Sequence, residues 1–168
     1  MMPEYWDLYD KNREKIGKTH LRGEPLEDGM YHIVMNVWII NSKNEILLTR
    51  RHPDKVLWGG MWECAAGGSI LAGEDSLQGA LRETKEEIGI DLPSSEAILI
   101  HTITRSNDIR DTFLFKADLS INDLTLAPKE VVAAKWVARR EYDLMCGEEV
   151  IAPPVRDFFQ ICPLQILM

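Results

Sequence analysis

Residues 67–90 read GGSILAGEDSLQGALRETKEEIGI, Gly67 to Ile90. Leu77, Ala80, Leu81, Thr84 and Ile88 recur at i, i+3, i+4, i+7 and i+11, one mostly apolar stripe at helical spacing. The period predicts a helix over 75–89, and Gly89 stands where helices commonly end. Glu83, Glu86 and Glu87 stand at i, i+3 and i+4, within an arc of roughly 100° beside the stripe. Such like charges repel, by about a few tenths of a kcal/mol per pair on an exposed helix. A hard cation reverses that sign: magnesium takes oxygen ligands and is usually held by a few carboxylates plus substrate phosphates. Gly79 falls in the same arc and leaves the approach from the preceding turn free of bulk. By themselves the three acids also suit a solvated face, with Lys85 nearby and Arg82 within reach of Glu86 at i+4. The preceding run favours the cation. Gly67 and Gly68 let the backbone approach a ligand and present a carbonyl, and Glu74 can fold back over the helix start to join the acids.

Read in order, Gly68, five residues, Glu74, seven residues, then Arg82-Glu83-Thr84-Lys85-Glu86-Glu87-Ile88-Gly89-Ile90 resemble the Nudix box at every fixed charged and glycine position. Thr84 stands where the family usually has an aliphatic residue, and on the buried stripe it can pack by its methyl. The similarity extends from about residue 4 to about 145. Tyr31-His32, Val37-Trp38-Ile39, Leu47-Leu48 and the run Trp58 to Trp62 resemble the branch near isopentenyl diphosphate isomerase, and Glu130-Val131 with Trp136-Val137 resemble Nudix enzymes generally.

The resemblance implies an α/β fold, an α/β/α sandwich with a mixed sheet and the box as a loop-helix-loop. It implies a Mg2+-dependent (or Mn2+-dependent) pyrophosphohydrolase acting on a nucleoside diphosphate derivative or similar small molecule. Glu83, Glu86, Glu87 and the carbonyl of Gly67 would hold the metal, with Gly68 and Glu74 in support. Arg82 would orient a glutamate through paired hydrogen bonds, which a guanidinium suits. Glu83 is the default general base, and Glu130, before the strand AAKWV, is the other candidate.

Several residues outside the box carry two readings. His32 stands near the metal region or packs within the sheet. Trp58 and Trp62 stack on a base, line an apolar pocket, or pack in core and loop. Arg50 and Arg51 contact a phosphate or form a solvated strand end. Two other functions compete with hydrolysis. An isopentenyl diphosphate isomerase needs a cysteine just before the glycine that opens the box and a histidine just after it; here Gly67 and Ser69 occupy those places. Cys64, three positions earlier, falls on the opposite face of a continuous strand from residue 67. A non-catalytic ligand-binding module would typically have lost acids from the box, and all are present.

The 168 residues, 45% hydrophobic and 27% charged, predict one globular domain over 1–168, with a short N-terminal strand segment (1–30) packed on the core. A second subunit could pack on that strand as a homodimer. The net charge of −8 disfavours duplex nucleic acid as a partner. No apolar run reaches the roughly 18 residues of a membrane span, and MMPEYWDLYDKNREK lacks the pattern of a secretory signal, so a cytoplasmic enzyme is expected. Cys64, Cys146 and Cys162 are too widely spaced for a zinc pair or disulfide framework. Strands are expected over 4–10, 31–41, 45–51, 62–66, 96–105, 111–118 and 133–137, the second and third as a hairpin. A loop is expected over Lys18 to Gly29, and helices over 138–146 and 154–161.

Overall fold

The computed structural model describes residues 2–167. Its organising helix, α1, spans Ser76–Ile88. Asp75 caps it by accepting from the Gln78 amide at 2.7 Å, and the Gln78 side chain accepts from the Asp75 amide at 2.8 Å. This reciprocal box satisfies two otherwise orphaned donors. Gly89, at φ 76°, ends the helix in the left-handed conformation. Ala80, Thr84 and Ile88 are fully buried, and the Thr84 hydroxyl donates to the Ala80 carbonyl at 2.8 Å, so its polar atom is satisfied in the stripe.

The main sheet is built around β3 (His32–Ile40). It runs parallel to β8 (Asp108–Lys116), whose other edge pairs antiparallel with β7 (Ile98–Thr104). The first half of β3 pairs antiparallel with β6 (Ala66–Ser69). β4 (Ile46–Arg51) meets β3 only at Ile40 and Ile46, then diverges to pair with β5 (Trp62–Glu63) and β9 (Val131–Val137). The expected hairpin therefore closes at one residue pair, and the splayed strands open a gap beside β6. Alternation along β3 sends Met35, Val37 and Ile39 to the face covered by α1. Trp38 and Ile40 face the other layer, where α2 (Arg139–Gly147) brings Tyr142 and Met145, and α3 (Phe158–Ile161) stacks Phe158 on Trp38 at 4.1 Å. The result is a mixed sheet between helical layers. The expected helix over 154–161 is interrupted: a 3₁₀ turn occupies Pro153–Val155 before α3, because prolines suit a first turn but lack the amides that continue a helix.

The N-terminal segment departs most from expectation. β1 (Tyr5–Tyr9) pairs with β2 (Lys15–Leu21), although Lys18 to Gly29 reads as loop. Exposed on nearly its whole length, β2 lacks the polar–apolar alternation that marks a strand. Backbone bonds between Tyr9 and Tyr31, at 2.8 and 2.9 Å, attach the hairpin to the core. Trp6 stacks on His32 at 3.9 Å, and Arg13 grips the buried Asp111 carboxylate with two bonds of 2.8 and 2.5 Å. The hairpin also holds the loop before α1: Tyr5 accepts from the Ala72 amide at 2.7 Å and Asp7 from the Gly73 amide at 2.8 Å. Among the described residues, no helix is long and apolar enough to cross a membrane.

Candidate active site

The Gly67–Gly68 edge of β6 and the acidic face of α1 meet in one cavity of about 310 Å³. Glu83, Glu86 and Glu87 line one side; Arg22, Arg51 and Lys55 bring positive charge, and Glu130 completes the rim. Gly68 is required by closeness: a Cβ there would lie 2.8 Å from the Glu83 carboxyl carbon. The Gly67 amide points outward, away from β3, toward Glu87 Oε2 at 3.4 Å. On an antiparallel strand the carbonyl of the same residue shares that outward edge, so it too faces the acids.

Arg82 organises the carboxylates. Its Nε and one terminal nitrogen grip Glu74 at 2.7 and 3.0 Å, and the other terminal nitrogen donates to Glu83 at 2.9 Å and Glu86 at 3.2 Å. Burial works against the Glu74 charge, yet the Arg82 and Leu71 bonds outweigh it and hold that carboxyl below its ordinary range. Glu83 and Glu87 behave oppositely. Burial pushes Glu83 up despite Arg82, and pushes Glu87 well up with the charges of Glu83 and Glu63 adding to it. Glu63, on β5, is likewise raised by burial although Arg51 bonds both its oxygens at 2.9 and 3.1 Å.

These groups fit a hard divalent cation. The donors are oxygens, and the raised carboxyls mark buried negative charge that its neighbours leave uncompensated. Among the described residues, no three acidic, histidine or cysteine side chains already stand placed to hold a metal ion together.

The other expected residues divide. Arg51 and Trp58 line a second chamber of about 260 Å³ that continues from the first across Gly67 and Gly68. Arg50 lies outside both chambers, its Nε bonded to the Gly60 carbonyl at 2.8 Å. Trp62 packs toward the second core with Lys135 over its ring at 5.0 Å. His32 is away from the carboxylates, stacked under Trp6. Gly79 sits within the right arc but opens no approach, because a Cβ there would lie 2.6 Å from the buried Ile70 side chain. Its role is close packing of helix and loop. Arg22, Lys55, Glu63 and Arg110 entered no sequence motif, yet all line these chambers.

Burial holds His32 down to about 4, against the attraction of Asp108. With the folded value below the unfolded one, the unfolded chain binds the proton more readily, so this contribution to stability is complete above about pH 6.5 and is lost as pH falls toward 4. Wild-type protein should lose about 2–3 kcal/mol through this group over that window. Thermal denaturation of His32→Gln against wild type across pH 4–7 checks it; parallel pH slopes would refute the assignment.

Cys64 requires a correction. Residues 62–69 are not one strand: β5 pairs with β4, β6 with β3, and the chain crosses between them at 64–65. Alternation does not survive the crossing, and the Cys64 sulfur lies 3.8 Å from where a Gly67 Cβ would stand, not on an opposite face. It is nevertheless sealed in, 1% exposed, donating to the Ala66 carbonyl at 3.2 Å, with its thiol pushed well up by burial and by Glu63. Cys64→Ser should leave hydrolysis within about twofold and cost a few degrees of melting temperature for a buried hydroxyl. Loss of turnover in a folded variant, or Cys64-dependent isomerisation of isopentenyl diphosphate, would show the thiol to be catalytic.

A family model for the NUDIX domain matches residues 30–158. An uncharacterized Nudix hydrolase of Listeria monocytogenes is 40% identical over 144 residues, 84% of each chain. An isopentenyl-diphosphate Delta-isomerase of Paenarthrobacter aurescens is 33% identical over 101 residues, 60% of this chain and 55% of that one. The crystal structure of DR0079 from Deinococcus radiodurans superposes with a TM-score of 0.78 at 18% identity, over 95% of this chain and 99% of the other, a likeness of fold. With the box on the cavity wall and the match spanning most of its length, the chain belongs to the Nudix hydrolase family, a family of pyrophosphohydrolases.

Proposed function

We propose that the protein is a Mg2+- or Mn2+-dependent hydrolase cleaving the diphosphate linkage of a nucleoside diphosphate derivative or similar small molecule. One observation carries the reading: Glu83, Glu86 and Glu87 of α1 and the cations Arg22, Arg51 and Lys55 line a single cavity. Clustered acids suit a metal, and cations in the same cavity suit phosphate oxygens. Glu83, Glu86, Glu87 and the Gly67 carbonyl would hold the ion. When bound, such an ion neutralises diphosphate charge and lowers the pKa of a bound water.

The remaining work falls to side chains. Arg82 fixes Glu83 and Glu86 while Glu74 fixes Arg82. Glu83, bonded by Arg82 and lying against the Gly68 backbone on the cavity wall, is our choice as proton acceptor for the attacking water. Glu130 is the second candidate, and it is ion-paired with Lys55. Isomerisation is disfavoured because Gly67 offers no thiol and Cys64 lines neither chamber. A non-catalytic module is disfavoured by the complete acidic set.

The test is a panel of nucleoside and prenyl diphosphates with products identified by mass. Excess chelator should abolish turnover, and added magnesium or manganese should restore it. Undiminished turnover in chelator would overturn metal dependence; dimethylallyl diphosphate as the sole product would overturn hydrolysis.

A further inference from the structure

Arg110 stands on β8 opposite Val34 of β3 and lines the second chamber. Its Nε is buried and, among the described residues, has no hydrogen-bond partner. A terminal nitrogen donates to the Pro154 carbonyl at 3.3 Å, its one bond among the described residues. Among the described residues Arg110 forms no ion pair: Asp108, two positions away on the strand, is held by Arg105 through bonds of 3.0 and 2.7 Å, and Asp157, across the neighbouring cavity, makes no bond to it. A guanidinium left without a carboxylate in a half-buried cleft is costly unless a ligand completes it.

The surroundings define that ligand. The chamber communicates with the carboxylate cavity across Gly67 and Gly68, and Arg22 and Arg51 line both. A diphosphate at that edge would send its remaining substituent into the second chamber. Leu57, Trp58 and Val155 offer apolar walls there, with Arg110 and Asn36 supplying polar groups. Arg110 also borders a neighbouring cavity of about 320 Å³ on the same sheet face, so a long substituent has room to pass it.

Resting on the hydrolase reading above, we propose that Arg110 is a specificity-determining binding residue that donates to an oxygen acceptor on the substituent beyond the scissile diphosphate. The preferred substrates carry such an acceptor, a nucleobase carbonyl or a second phosphate. Diphosphates of hydrocarbon alcohols leave the donor unmet and are disfavoured, by about ten- to a hundredfold for one unmade buried hydrogen bond.

Arg110→Met removes the donors and keeps much of the bulk; Arg110→Lys keeps the charge and, with melting temperatures, controls for folding. Each is assayed with magnesium on a nucleoside diphosphate sugar, a sugar phosphate bearing a diphosphate, and geranyl diphosphate. We expect Arg110→Met to raise KM at least tenfold on an acceptor-bearing substrate with kcat within threefold, and to leave geranyl diphosphate unaffected. The substrate that responds identifies the acceptor as base or phosphate. Equal losses on all three, or on none, would overturn the inference. A calorimetric titration with a nucleoside monophosphate and a sugar bisphosphate in chelator reads Arg110 without turnover, and at least tenfold weaker binding of one of them to Arg110→Met is expected. If wild type hydrolyses nothing yet this difference holds, the hydrolase reading fails and the assignment of Arg110 stands. Equal binding of both ligands by the two proteins overturns it.

Discussion

Glu87→Gln should reduce turnover of a confirmed diphosphate substrate at least about a hundredfold, the scale expected when a buried charged group at a reacting centre is removed. Glutamine is nearly isosteric and keeps an oxygen for the Gly67 amide, so local packing survives. What disappears is a negative charge that the metal-free protein accommodates poorly, with the carboxyl pushed well up by burial, Glu83 and Glu63. The variant should therefore melt no lower than wild type in chelator, and should gain less than wild type on addition of magnesium. Near-normal turnover would exclude Glu87 as a ligand, and an unfolded variant would make the acid structural. Glu86→Gln should lower turnover similarly, although its side chain, 58% exposed, contributes little to packing.

Arg82→Lys is expected to cost both activity and stability. One guanidinium bonds Glu74, Glu83, Glu86 and, at 3.3 Å, the Ser69 carbonyl. An ammonium carries the same charge on a single nitrogen and cannot span that fan of acceptors. The freed Glu74 and Glu83 are mostly buried, and loosening partly buried ion pairs costs about 2–3 kcal/mol after allowance for solvent. Turnover should fall at least about tenfold, because metal-facing carboxylates displaced by an ångström lose their alignment. Denaturant melts and steady-state kinetics check both parts. Full activity with unchanged stability would show that charge alone suffices and that the fork geometry is incidental.

The helix and its acidic face were legible because both are local. Apolar spacing, Gly89 and three glutamates one turn apart lie within a few residues of each other, where helical period converts sequence into geometry. The β2 strand was not legible, since its residues alternate in no pattern and are held by pairing to β1. Arg22, Lys55, Glu63 and Arg110 come from four separate segments and meet only through the tertiary fold. Cys64 was misplaced because alternation was carried across a strand break, and Gly79 because a contact with Ile70 is invisible to a helical projection. Of two adjacent arginines, only Arg51 reaches the chambers. Strand parity separates their directions, but only the pairing of β4 with its neighbours tells which one turns inward.

The N-terminal hairpin ties the Arg13–Asp111 grip, the Trp6–His32 stack and the loop before α1 to Arg22 at the cavity rim. Any ligand that engages Arg22 must therefore be thermodynamically linked to hairpin attachment, in both directions and by the same factor. Loosening the attachment at Arg13 taxes affinity for that ligand through the fraction of molecules with Arg22 in place, without touching the carboxylates. Conversely, a bound diphosphate would slow amide hydrogen exchange along residues 15–21, a strand whose outer surface it never contacts.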